Sequence, residues 1–221
     1  MKRLLLGSTM VLTSLSLLAQ GTVTFNNRVV GSIVTHIYAP FPGDPLVSQI
    51  GNGAADYPPG TTSWAGWTLI GTTLAGQYGG QSTYAQLLAA PGLNQPEASL
   101  VPQATGIATF RTGAAAGFIS GGVTATLSNV GNDSPATLEM VAWDNSSGLY
   151  PTWAQARIGW LNGWIQCGVS GTWNTVVGGT STPPNITGAQ SFNLYGDVPE
   201  PSTFALAALG AAMLMLARRR R

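Results

Sequence analysis

Apolar and small polar residues alternate in short runs along the middle of this chain, broken roughly every eight to twelve positions by Gly, Pro, Asn or Asp. Residues 32–38 place Val34, His36 and Tyr38 on one face and Ile33, Thr35 and Ile37 on the other. Residues 123–127 alternate cleanly, and residues 135–143 set Leu138, Met140 and Ala142 against Thr137, Glu139, Val141 and Trp143. Residues 190–194 alternate again. Further strands are expected at residues 22–26, 68–71, 83–89, 107–110 and 172–177. Period-two runs rich in Val, Thr and aromatics predict an all-β fold: a single sandwich-like antiparallel domain spanning residues 22–197. Residues 152–164 depart from this pattern. Trp153, Ala156, Trp160 and Trp164 recur at helical spacing behind Thr152, a good N-cap, which predicts one short surface helix. Gly159 and Gly163 count against it. Residues 40–64, with five prolines and four glycines, read as a long excursion from the sheet. No fixed-period repeat is present, which excludes a solenoid or propeller.

The two ends follow other rules. Lys2 and Arg3 precede a moderately apolar stretch, residues 4–18, and Ala19-Gln20-Gly21 puts small residues at positions −3 and −1 of a cut before Thr22. That is the layout of a secretory signal peptide over residues 1–21. The stretch is interrupted by Ser8, Thr9, Thr13, Ser14 and Ser16, too short and polar for a spanning anchor. At the other end stands Val198-Pro199-Glu200-Pro201, where each proline fixes its own φ and pushes its predecessor out of the helical region. An uncharged Ala/Leu/Met run follows. From Ser202 to Ala217 a helix reaches roughly 24 Å, slightly short of a hydrocarbon core, and snorkelling arginines can make up the difference. Arg218, Arg219, Arg220 and Arg221 fix the orientation, with the C-terminus cytoplasmic and the body across the membrane.

This order of motif, transmembrane helix and arginine cluster resembles the tail of bacterial PEP-CTERM proteins. The resemblance implies a sorting signal read by exosortase, a membrane protease. Val198, Pro199, Glu200 and Pro201 would be the recognised motif, residues 202–217 the transient membrane segment and Arg218–Arg221 the stop-transfer charges. It also implies secretion, and an association with extracellular polysaccharide and biofilm matrix. The charged end argues against a GPI signal, and no Leu-Pro-x-Thr-Gly sequence of the sortase type is present. In the body, residues 84–92, 109–113 and 141–144 are similar to segments of uncharacterised PEP-CTERM proteins, a likeness that implies no activity.

Composition narrows the body's options. Only 8% of residues are charged, and between Thr22 and Asp197 three cations (Arg28, Arg111, Arg157) face seven acids. No basic patch exists to neutralise phosphates, so nucleic acid is excluded as a partner. Cys167 has no second cysteine to pair with and reads as a small buried residue. His36, the lone histidine, reads as a strand residue with a satisfied partner. Hydrolase elbows, zincin motifs and phosphate loops are absent from the sequence. Glycoside hydrolysis would need two carboxylates across a cleft; Glu97, Asp133, Glu139 and Asp144 are the candidates, with Glu139 expected on a solvated strand face. Asn132-Asp133 and Asp144-Asn145 could hold Ca²⁺ if their turns met, although turn chemistry alone explains both. Of the seven tryptophans, Trp143 reads as core, and Trp153, Trp160 and Trp164 as a stripe docking on the sheet. The expectation is an exported, non-enzymatic cell-envelope or matrix protein with no cofactor, metal or catalytic residue. The alternatives are a carbohydrate-binding module using exposed tryptophans and a secreted glycan hydrolase. Exposed aromatics without paired carboxylates would favour the module, and two carboxylates facing a cleft the hydrolase.

Overall fold

The computed structural model describes residues 20–103, 106–179 and 182–197. Ala19 and most of the expected signal, the Val198–Pro201 motif, the expected helix over 202–217 and the four terminal arginines lie outside the described residues. Among the described residues no helix is long and apolar enough to cross a membrane.

The alternation in residues 83–89 and 135–143 becomes the two inner strands of a four-stranded sheet. Strand β5 (Thr83–Pro91) and strand β8 (Pro135–Asp144) pair antiparallel along their whole length. The short β6 (Val101–Pro102) flanks β5, and β9 (Cys167–Val176) flanks β8. A second layer is the antiparallel ribbon of β1 (Gln20–Phe25) and β7 (Val123–Gly131). The chain passes from β7 to β8 through Asn132, Asp133 and Ser134, with Asp133 at φ 50, a left-handed position that Asp tolerates. Ala85, Leu87 and Ala89 of β5 and Leu138, Met140 and Ala142 of β8 pack against Val23, Phe25, Ala125 and Leu127 of the ribbon. The strand-rich, antiparallel character expected from the sequence is present here. Each fully buried Leu or Phe within it contributes about 1.5–3 kcal/mol.

The other face of the sheet carries the helix expected from residues 152–164. Leu88, Val141, Trp143 and Cys167 are covered by helix α1 (Trp153–Leu161) through Trp153, Ala156 and Trp160, and by Leu100 and Ile165. The helix thus closes a second core, with Trp153 and Trp160 docked on the sheet as expected. Thr152 caps it, accepting from the Gln155 amide and donating to the Gln155 side chain. The two glycines that count against a helix in the sequence are what this one requires. A Cβ at Gly159 would fall 2.6 Å from the Tyr150 ring. Gly163, at φ 71, ends the helix: its amide donates to Trp160 O and that of Trp164 to Gly159 O, both at 2.8 Å, as in a Schellman motif.

Other expected strands are shorter or missing. Residues 32–38 keep their alternating burial but split into β3 (Ile33–Val34), paired with β2 (Arg28–Val29), and β4 (Ile37–Tyr38). The break arises because the Thr35 amide donates to Asn27 O and the His36 amide to Ser191 Oγ, so no ladder can continue. Residues 68–71 and 107–110 make only isolated bridges, Tyr38 with Leu69, Ala85 with Ala108 and Phe110 with Ile119. Strand β10 (Phe192–Asn193) lies parallel to β4, a local exception to the antiparallel expectation.

Because β8 carries both cores, Trp143→Ala should cost about 3–5 kcal/mol, read as a lowered denaturation midpoint. Residues 22–197 alone should give a β-dominated circular dichroism spectrum and a cooperative melt unchanged by reductant. A mainly helical spectrum, or no transition, would refute this architecture.

Candidate functional site

The segment leading into the tail is held on every side. Leu194 N donates to Tyr38 O at 2.9 Å, Tyr195 N to Cys167 O at 2.8 Å, and Gly196 N to Pro45 O at 2.8 Å. Trp160 Nε1 donates to Tyr195 O at 2.9 Å, tying α1 to the same point. The long excursion folds over this strand: Asn193 Nδ2 donates to Val47 O, Gln49 N to Asn193 Oδ1 and Gly51 N to Ser191 O. The folded body therefore runs up to Gly196, and Val198 stands two residues further on.

Beside this exit lies a buried polar hub. Asp56 accepts from His36 Nδ1 at 2.5 Å, from Gly53 N at 2.6 Å and from Ser191 Oγ at 2.9 Å. Burial pushes the Asp56 carboxyl up, but these three hydrogen bonds and the His36 ring outweigh it and hold the group below the usual carboxylate range. His36 thus has the satisfied partner expected of it. The trio holds the residue types of a hydrolase triad in an order that cannot work as one. Ser191 is fully buried and donates to Asp56, not to His36. Asp56 lies in an irregular Gly/Pro-rich stretch with no periodicity to mark it, so nothing in the sequence pointed to this hub.

Glu139 departs from its expected place. It is 1% exposed, not on a solvated face, because α1 and the segment around Leu100 roof that side of the sheet. Burial, with a smaller contribution from the Glu97 charge, pushes its carboxyl up to about 8. Glu97 and Glu139 line one cavity of about 210 Å³. Asp133 and Asp144 sit at opposite ends of β8, about 30 Å apart for a ten-residue strand, so the two Asn/Asp turns do not meet. The Asp144 carboxylate is engaged by the Ser146 amide and hydroxyl, both at 3.0 Å. Among the described residues no cluster of three or more His, Cys, Asp or Glu could hold a metal.

Cys167 is buried against α1, its Sγ 3.8 Å from Ala156 O, and burial pushes the thiol well above its ordinary value. Trp143, Trp153 and Trp160 are buried as expected, whereas Trp164 is 65% exposed and leaves the docking stripe. Gly163 reverses the chain just before it. Trp64 and Trp67 are half-buried in a ridge that the sequence pattern did not reveal. Trp64 stacks on Tyr38 at 4.1 Å and 7°, Trp67 meets Trp64 edge-on at 5.3 Å, and Phe41 lies 5.0 Å from Trp67.

Comparison with known proteins bears on the tail. Residues 197–221 match the family model of the PEP-CTERM protein-sorting motif. No curated protein matches the chain. No solved structure matches it either. The resemblance read at Val198–Pro201 and the arginines is therefore found again, while the likeness of residues 84–92, 109–113 and 141–144 to other such proteins gains no support.

The two buried carboxyls set opposite limits on stability. Asp56, lowered in the fold, stabilises above the ordinary carboxylate pKa, and that contribution is lost as pH falls through its depressed value. Glu139, raised in the fold, binds its proton more tightly than the unfolded chain does, so stability declines as pH rises from the ordinary carboxylate value of 4.5 to about 8. Denaturation at a series of pH values should show Glu139→Gln flattening the decline on the alkaline side. Asp56→Ala should cost about 1–3 kcal/mol at neutral pH, with less left to lose in acid. Wild type and variants running parallel across pH would contradict these assignments.

Proposed function

We propose that this protein is an exported, non-enzymatic component of the cell envelope or extracellular matrix, delivered through its C-terminal tail. The observation that carries the reading is the sorting motif at residues 197–221, which implies export and processing by exosortase. The reading is supported by the described hydrogen bonding, which reaches Gly196, two residues before Val198. Between Gly196, tied to Pro45, and Phe204, where the apolar run starts, only seven residues intervene, spanning at most about 25 Å when extended. A tail inserted in the inner membrane would hold the body close to the outer surface of that membrane. Val198, Pro199, Glu200 and Pro201 would then be presented between the two. The prolines disfavour helix there, so the protease would meet chain that the membrane helix cannot absorb. Arg218–Arg221 would keep the C-terminus cytoplasmic until cleavage.

A second reading, a carbohydrate-binding module, is supported by the Tyr38–Trp64–Trp67 ridge, which adjoins a cavity of about 320 Å³ lined by Tyr38, Asp56 and Trp64. Exposed Trp164 adds a separate ring. Extracellular polysaccharide would be the partner in that case. Hydrolysis is less well supported, even though Glu97 and Glu139 share a cavity. About 210 Å³ lies below the usual range for drug-sized ligands and leaves no room for a sugar on each side of a scissile bond.

Replacing Pro199, Glu200 and Pro201 by alanine should block processing and leave insertion intact, so the full-length chain accumulates in the inner membrane of a host carrying exosortase. Replacing Arg218–Arg221 by serine should instead loosen orientation and retention. Maturation of the triple-alanine variant at the wild-type rate, followed by fractionation and immunoblotting, would contradict the sorting reading and leave the tail an ordinary anchor.

A further inference from the structure

The cavity under α1 has a composition that the sorting function does not use. It is lined by Glu139, a residue 1% exposed on the inner strand β8. The sheet is irregular next to it. The β8–β9 register shifts between Glu139 and Val141, and the Met140 amide turns to Ser170 Oγ at 3.0 Å. Such bulges recur beside binding sites, where they re-aim a side chain. Leu88, opposite Glu139 on β5, Leu100 and Trp153 form apolar walls. Glu97 and Arg157 stand exposed at the mouth, and no ion pair joins them.

We infer that this cavity binds a single neutral pyranose, as a free monosaccharide or as the terminal unit of a glycan. The assignment follows from the groups present. With its carboxyl pushed up to about 8, Glu139 is mostly neutral at pH 7 and offers one O–H donor and one acceptor, the complement of a sugar hydroxyl. Glu97 adds an acceptor and Arg157 a fork of donors, and their opposite charges favour neither an anionic nor a cationic ligand. Trp153 gives a ring wall for the apolar face of the sugar. A volume of about 210 Å³ suits one ring and excludes a chain. The site stands apart from the Tyr38–Trp64 ridge and does not depend on how the tail is processed.

The test uses the full-length protein in a detergent without a sugar headgroup, probed by saturation-transfer NMR. The ligands are glucose, galactose, mannose and N-acetylglucosamine, each free and as a short oligosaccharide, with serine as a zwitterionic competitor. At least one neutral pyranose should bind, and free sugar and oligosaccharide binding alike would place a glycan end in the cavity. Glu139→Leu should weaken binding about tenfold or more, and Glu139→Gln less, since the amide keeps a donor and an acceptor. Arg157→Gln, on the exposed face of α1, should weaken binding without disturbing the fold, which covers the case in which Glu139→Leu repacks the cavity. The proposal is overturned if no pyranose binds up to about 50 mM. It is equally overturned if serine binds in place of sugars, or if binding survives both Glu139→Leu and Arg157→Gln and is lost in Trp64→Ala.

Discussion

Strand β8 has nine of its ten residues buried, and the rest of the body is arranged to cover it. A strand in an antiparallel sheet commonly leaves one face to solvent. Here Leu138, Met140 and Ala142 require an apolar partner on one side, and Val141 and Trp143 require one on the other. The β1–β7 ribbon meets the first demand and α1 the second. From this double cover follow the burial of Cys167, the upward push on the Glu139 carboxyl and the small cavity between α1 and the segment around Leu100.

The same economy governs the route to the tail. A chain with so few charges cannot hold its irregular 40–64 excursion by surface ion pairs, and among the described residues the single ion pair is the one between His36 and Asp56. Backbone groups and buried amides do the work. Asp56 gathers His36, Gly53 and Ser191, while Asn193 and Gly196 are tied to Val47 and Pro45. The excursion and the last strand are thereby locked to each other, so the segment entering the sorting motif leaves a fixed point on a folded surface. If the tail delivers the protein as proposed, such a point would separate the body from the segment to be cut.

Much of this was legible in advance where periodicity governs. Alternation located β1, β5, β7 and β8 to within a few residues, and sorted the two faces of residues 135–143 correctly, because a buried sheet face imposes period two on any sequence. Thr152 with Trp153, Ala156 and Trp160 located α1 for the equivalent reason at helical spacing. Alternation says which residues share a face, however, and not what covers it. The alternation therefore places Glu139 in solvent, although a helix that begins fourteen residues later roofs it. The strands expected at 68–71 and 107–110 fail because their ladders are taken by single bridges, a choice made by distant chain. Asp56 and the Trp64 ridge owe their positions to loop geometry, which leaves no periodic trace.

The central claim is that a folded body ending at Gly196 is delivered by a tail that is then removed. Intact-mass measurement of the protein recovered outside the inner membrane tests it most directly. The account predicts a chain that begins at Thr22 and lacks the apolar run and Arg218–Arg221. A mass that retains the four arginines in the released protein would contradict it.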